Sequence, residues 1–434
     1  MASGPVANPT PTKWSAFMVQ LYASRKPPHC GSLNPDKLED IAREKCKERL
    51  DAYMYIFGSA GTSDTHHANR KYFDHWRIVP RMLVDATERS LETNLFGVKY
   101  PSPLVLSPIG VQGIVHPDAE LATASAASKC SVPYIMSSAA TRSMEAIAKA
   151  SGDGPRWYQL YWPKSNDITL SLLKRAKANG YTALVVTLDT NILGWRPHDI
   201  DTAYLPFLHG VGIQNAVADP VFMARFGFEA IPDERPPFPY EARKVDKAFS
   251  EGDEDVKKHV LLGKSWLAEA NSGEFKTWED VDFLLANWEG PVVLKGIQTV
   301  ADAEKALDIG AHGIVVSNHG GRQVDGAVPS LWALEQICSS PKIRAAQESG
   351  KFTVIFDSGI RTGSDGIKAI ALGAQAIGLG RPYMHGLTIA GEAGAEEVVR
   401  SFLGDMEVTM GLIGKKSLSE VWYKREEILQ KSDI

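Results

Sequence analysis

Short apolar runs bounded by Pro and Gly recur along the chain, at 103–108, 133–137, 156–161, 183–189, 291–296, 313–318, 353–359 and 376–382. Most are continuous rather than alternating, the pattern of parallel strands covered on both faces. Between them lie segments with helical period and strong helix formers, at 119–129, 143–150, 168–179, 301–309 and 365–372. The starts of the runs are one βα unit apart, except for the long gap between 183 and 291. Eight such units predict a (β/α)8 TIM barrel, whereas an open doubly wound sheet more often uses five or six strands. Residues 1–101 precede the barrel as an N-terminal helical extension, with helical period over 35–55 after the turn signal Asn34-Pro35. Residues 102–434 form the barrel, and the long gap is a loop insertion after strand four, at about 190–276. It has no regular period and carries the Pro- and charge-rich pieces 231–243 and 250–258. Such a loop reads as a lid or an oligomer contact.

Composition narrows the picture without changing it. The 434 residues are 44% apolar and 23% charged, which is globular rather than disordered. Lys plus Arg is 47 and Asp plus Glu is 52, a net charge of −5 that gives no footprint for nucleic acid. Cys30, Cys46, Cys130 and Cys338 are widely spaced, so neither a disulfide framework nor a structural zinc site is expected. No apolar run approaches a membrane span. Residues 1–12 lack a signal or transit pattern, and the last residues are not a peroxisomal address, so the expected location is cytoplasmic.

In a (β/α)8 barrel, functional groups sit at the C-terminal ends of strands. Polar residues cluster there on six strands: Gln159 and Tyr161, Thr187 and Asp189, Lys295, Ser317 to Arg322, Asp357 to Gly359, and Gly380-Arg381. The loops after strands seven and eight pair Gly with Arg, at Gly359/Arg361 and Gly380/Arg381, which suits a phosphate group. His319 and Asp189 are placed for a carboxylate to orient an imidazole, raise its pKa and make it a stronger general base. Arg196 and Arg322 offer two forks for a substrate carboxylate, and no G-x-S-x-G turn supports a serine nucleophile. His66-His67 lacks a third ligand and reads as surface histidines, so no metal is expected, and the acidic stretch 251–255 reads as a solvated loop.

The motifs SNHGGRQ (317–323), KG at Lys295, TLDTNILGWR (187–196), QLY at Gln159, DSGIRTG (357–363) and GRP at Gly380 together resemble the FMN-dependent 2-hydroxy acid oxidases and dehydrogenases. WSAFMVQLY near the start, GWRPHD, DSGIRTGSD and GRPYMHG are most similar to the lactate 2-monooxygenase branch. The resemblance implies an FMN-binding barrel in which His319 is the catalytic base held by Asp189. Arg322 and Arg196 would grip the substrate carboxylate with the help of Tyr55, and Tyr161 would bond the substrate hydroxyl. Lys295 would sit beside the flavin where negative charge collects. Pro108, Ile109, Gly110, Ser137, Gln159, Thr187 and Ser317 would line the ring and ribityl chain, and Asp357, Ser358, Gly359, Arg361, Gly380 and Arg381 would hold ribityl and phosphate. Plant glycolate oxidases read S-S-W-A-T where this chain has Ser137-Ser138-Ala139-Ala140-Thr141, so Ala139 shapes a different substrate space and argues against glycolate.

The implied reaction is oxidation of an L-2-hydroxy acid, lactate, with O2, yielding acetate, carbon dioxide and water, or pyruvate and hydrogen peroxide in the oxidase alternative. A redox-neutral isomerase or aldolase using Lys295 as a Schiff base, and a flavin-binding barrel without turnover, are the rivals. The resemblance also implies a homo-oligomer of tetrameric or larger size.

Overall fold

The computed structural model describes residues 14–432; the readings of residues 1–12 and of the extreme C-terminus at 433–434 lie outside the described residues. Each apolar run contributes one strand: β1 (Leu104–Leu106), β2 (Tyr134–Met136), β3 (Arg156–Leu160), β4 (Leu184–Thr187), β5 (Val292–Ile297), β6 (Gly313–Val316), β7 (Thr353–Phe356) and β8 (Ala376–Leu379). They close in chain order into one parallel barrel, with β8 returning to β1 through Ile377 opposite Leu104. The fold is therefore the expected (β/α)8 barrel. Val105, Ile135, Trp157, Val185, Val293, Val315 and Ile355 fill its interior as a second apolar cluster, which Leu95 and Tyr100 join from the hairpin Thr93–Leu95/Val98–Tyr100. The opposite strand faces bury against the helices, which is why the runs are apolar throughout.

Helix starts follow local chemistry. Ser143 caps Met144–Ser151, Thr299 caps Val300–Asp308, and Thr362 with Asp365 forms a capping box on Gly363–Ala371. Asn34 caps Pro35–Lys45 by accepting from the Asp36 and Lys37 amides. The helical stretch expected over 35–55 is two helices, Pro35–Lys45 and Leu50–Phe57, joined by a 3-10 turn at Lys47–Arg49. The first buries Leu38 and Ala42 along one stripe, while the second is buried at Ala52, Tyr53 and 55–57, so the break lets each present its own face.

The insertion is not structureless. It holds helices at Ala242–Glu251 and Glu254–Ala270 and several shorter ones, including Pro197–Asp201 and Pro206–His209. Glu254–Ala270 buries Val260, Leu262, Gly263 and Trp266, a helical spacing masked in the sequence by the charges around it. Gly263 packs so closely on the Phe207 carbonyl that a Cβ would stand 2.0 Å from it. The acidic stretch 251–255 is likewise a helix boundary: Asp253 accepts from the Val256 amide, and Glu254 and Asp255 occupy the first turn, where the helix dipole favours them. The extension meets the C-terminal segment where Trp76–Ile78 pairs antiparallel with Leu429–Lys431. Among the described residues, no helix is long and apolar enough to cross a membrane.

Candidate active site

The C-terminal strand ends open into one cleft. The barrel lines it with Pro108, Ile109, Gly110, Ala139, Tyr161, Lys295, His319, Arg322, Asp357, Ser358, Gly359, Arg361, Gly380 and Arg381. The extension adds Tyr55, and the insertion adds Arg196, Leu193, Phe207 and Asn271. Thus helix Leu50–Phe57 and the insertion roof the mouth from two sides.

His319 follows β6 in a left-handed conformation, φ 58°, and is followed by Gly320 and Gly321 at φ 65° and 76°. This sparsely populated backbone costs a non-glycine residue on the order of 1–3 kcal/mol, and the Gly-Gly pair lets the turn continue. The turn aims the imidazole at Asp189 beyond β4. Nδ1 lies 2.9 Å from Asp189 Oδ1, so Nδ1–H donates to the carboxylate and leaves Nε2 with a free lone pair. Thr190 donates to the same Oδ1 at 3.0 Å, and its carbonyl accepts from Asn271 of the insertion. Burial acts to raise the Asp189 carboxyl, but its pairing with the His319 imidazole and the nearby Lys295 ammonium outweigh burial and hold it well below the usual carboxylate range. Asp189 acts to raise the His319 pKa, as expected, but the net shift is downward. Burial pushes the ring below the ordinary imidazole value, and Lys295 and Arg196 oppose Asp189. His319 is consequently neutral at neutral pH, the form a general base needs.

Arg322 and Arg196 meet across the mouth. Arg322 donates to the Tyr55, Ile56 and Gly58 carbonyls at 2.7, 3.0 and 2.6 Å. Arg196 donates from Nε to the Arg322 carbonyl at 3.0 Å and from Nη2 to Gln323. Burial and the neighbouring Arg196 bring Arg322 down to about 9, still cationic at neutral pH. Two buried cations facing each other, with a neutral base beside them, suit an anionic substrate whose carboxylate relieves their repulsion. The Tyr55 and Tyr161 hydroxyls have no hydrogen-bond partner among the described residues, and burial raises both phenol pKa values.

Ser137, Gln159, Thr187 and Ser317 stand behind the cleft wall. Gln159 accepts from the Ser137 hydroxyl and the Ser138 amide and donates to Thr187, tying β2, β3 and β4, while Ser317 Oγ accepts from the His319 amide. Several contributors were not singled out from sequence. Ser107, Thr190, Phe207 and Asn271 line the cleft. His198 and Asp199 follow Arg196, with His198 Nε2 3.2 Å from Asp199 Oδ1. Burial pushes Asp199 up to about 6 against the pull of Arg322 and Arg196. His66 is half-buried rather than a surface histidine: burial, Arg381 and Arg361 bring it down to about 3.

The chain matches the FMN-dependent dehydrogenase family over residues 42–430. The chain belongs to that family. It is 44% identical over 387 residues to an FMN-dependent alpha-hydroxy acid dehydrogenase of Penicillium citrinum, covering 89% of this chain and 88% of that one. It is 36% identical over 366 residues to an L-lactate oxidase of Lysinibacillus sphaericus, covering 84% and 86% respectively. A solved lactate oxidase of Pediococcus acidilactici superposes with TM-score 0.73 at 30% identity, covering 93% of this chain and 96% of that one. This member of the FMN-dependent dehydrogenases is an FMN-dependent alpha-hydroxy acid oxidoreductase.

Its cleft fits the flavin. Arg361, partly buried, and Arg381, buried, form no ion pair among the described residues; burial and Arg70 lower the first, burial, Arg361 and Arg322 lower the second, and a phosphate group there would supply a counter-charge. Lys295 Nζ makes no hydrogen bond among the described residues, and Asp357 and Asp189 outweigh burial to keep it charged. Glycines keep the walls thin: a Cβ on Gly378 would stand 2.4 Å from Ser107 Oγ, and one on Gly110 2.5 Å from the Ala139 methyl.

Proposed function

We propose that this protein oxidises L-lactate with O2, retaining the keto acid long enough to release acetate, carbon dioxide and water. The observation that carries the reading is the His319–Asp189 pair at 2.9 Å, opening on the same cleft as Arg322 and Arg196. Bound FMN supplies the two-electron acceptor for the hydrogen on the substrate's α-carbon. Arg322 and Arg196 bind the carboxylate, with the Tyr55 hydroxyl alongside. Tyr161 donates to the substrate hydroxyl, whose proton His319 Nε2 takes as the C–H bond breaks. The imidazolium so formed is stabilised by Asp189. Lys295 balances negative charge on the reduced cofactor, and Arg361, Arg381, Asp357, Ser358, Gly359 and Gly380 hold the ribityl phosphate. Ser137, Gln159, Thr187, Ser317, Pro108, Ile109 and Gly110 are the residues that would hold the ring and ribityl chain.

Ala139 leaves room beside the substrate carbon, and Val111, Leu193 and Phe207 give the side-chain space an apolar lining that suits a methyl group. Retention of product is supported by the roof that Leu193, Phe207 and Asn271 of the insertion form over the mouth. Similarity to L-lactate oxidases favours a second reading, early release of pyruvate with hydrogen peroxide. Aerobic turnover of L-lactate with acetate, pyruvate and peroxide all quantified separates the two. Acetate without peroxide fits the retained-product reading; pyruvate and peroxide in equal yield contradict it; no consumption of L-lactate contradicts both.

A further inference from the structure

Behind Tyr55 of the extension, the insertion carries two further rings, Tyr204 and Tyr240, that catalysis does not use. Tyr55, on the cleft wall, meets Tyr204 edge-on with ring centroids 5.7 Å apart, and Tyr204 meets Tyr240 in the same manner, also at 5.7 Å. All three are buried, at 5%, 2% and 4% exposure, so no water interrupts the row. Beyond it the Tyr240 hydroxyl is hydrogen-bonded to His209 Nδ1, and His209 Nε2 lies 2.9 Å from Asp246 Oδ1. Asp246 is an exposed carboxylate and can only accept, so Nε2 carries the proton and Nδ1 is the acceptor for Tyr240. The order from cleft to solvent is thus three phenols, one imidazole and one carboxylate.

We propose that this row is a redox relay that carries oxidising equivalents away from the flavin cleft and ends at Tyr240. A buried phenol is a one-electron donor only if its proton leaves with the electron, because a phenol radical cation is strongly acidic and costly to bury. Burial, with Asp246 and Asp51 nearby, raises the Tyr240 pKa, so it rests as the neutral phenol. When a one-electron oxidant acts at the cleft, an electron passes from Tyr240 through Tyr204 and Tyr55. The Tyr240 O–H bond breaks, its proton forms an N–H bond at His209 Nδ1, and a neutral tyrosyl radical remains. The new imidazolium is balanced by Asp246, and the oxidant is reduced by one electron. Among the described residues the Tyr204 hydroxyl has no hydrogen-bond partner, so Tyr204 cannot shed its proton and holds no radical itself; the electron tunnels across its ring. This makes Tyr240 the resting place of the radical. The biological oxidants are one-electron oxidants derived from O2, and photoexcited FMN serves as the oxidant in the test. The relay rests on FMN binding at the cleft, but not on lactate as substrate or on which product leaves.

The test is blue-light illumination of the anaerobic FMN-loaded protein without substrate, read by electron paramagnetic resonance with ring-deuterated tyrosine. Wild type is expected to give a neutral tyrosyl signal that narrows on deuteration. Tyr240→Phe, which keeps the ring and its packing, is expected to lose at least 90% of the long-lived signal. His209→Asn should shorten its lifetime about tenfold, while thermal melting and flavin content stay near wild type. Dark reduction of the flavin by substrate should be unchanged in Tyr240→Phe. An undiminished signal in Tyr240→Phe, a wild-type lifetime in a folded His209→Asn protein, or no tyrosyl signal in the FMN-loaded wild type would each overturn the proposal.

Discussion

Arg322 and Arg381 share one acceptor: the Gly58 carbonyl oxygen lies 2.6 Å from Nη1 of the first and 3.2 Å from Nη2 of the second. Arg381 also donates to the Phe57 carbonyl and the Ser59 hydroxyl, as Arg322 does to the Tyr55 and Ile56 carbonyls. Residues 55–59 of the extension therefore hold the Arg322 and Arg381 guanidinium groups together. Five backbone or hydroxyl groups that would otherwise be buried without donors are satisfied by two cations.

This sharing predicts that the two binding events are coupled. Arg381→Met should weaken FMN binding by roughly one to two orders of magnitude, the effect of removing a charged donor worth about 1.5–3 kcal/mol. With FMN saturating, the same variant should also raise KM for the hydroxy acid, because Gly58 loses one of its two tethers. Fluorescence titration of FMN and saturation kinetics check both; a weakened cofactor with an unchanged KM would show that the segment does not transmit the change.

Asp199 sets a pH dependence on substrate affinity. Its carboxyl, pushed up to about 6, stands beside Arg196 and Arg322, and its neighbour His198, brought down to about 4 by burial and the same arginines, stays neutral above that value. As pH rises through about 6, Asp199 ionises and its charge competes with the substrate carboxylate for the arginine pair. Affinity should therefore fall over that interval, read as a rising dissociation constant for a non-reacting carboxylate such as oxalate. Asp199→Asn should flatten the profile.

The barrel was legible because each strand is a continuous apolar run ending in polar residues, so His319, Asp189, Lys295 and the Gly-Arg loops could be placed on a common rim before any coordinates. The insertion was not. Its helix Glu254–Ala270 buries only part of one face, and Lys257, Lys258 and Lys264 on the rest hide the period. Phe207 and Asn271 reach the cleft through that helix and its neighbours, a long-range placement that local pattern does not encode. The net direction of the His319 shift was missed for a related reason: the Asp189, Arg196 and Lys295 charges are visible in motifs, whereas the burial that is the largest cause is set by how distant segments pack around the ring.

Phe207 should govern product partition. It lines the cleft and packs on Gly263 and Tyr55, so Phe207→Ala opens the roof above the substrate. Under the retained-product reading, this variant should divert at least half of the turnover from acetate to pyruvate and hydrogen peroxide, with flavin reduction by L-lactate within a few-fold of wild type. Stoichiometric product analysis checks it; an unchanged acetate yield would remove the insertion from that role.

In the proposed reaction His319, neutral and oriented by Asp189, accepts the substrate hydroxyl proton. The most direct measurement is anaerobic stopped-flow bleaching of the bound flavin by L-lactate in wild type and in His319→Gln. The variant should keep its FMN and bind oxalate, yet bleach more slowly by roughly 10²–10⁴-fold, the usual contribution of a general base. Wild type should lose its rate only as pH falls below about 6.5, the ordinary imidazole value, because burial has moved His319 downward. Bleaching at a near wild-type rate in His319→Gln with FMN bound would contradict the account.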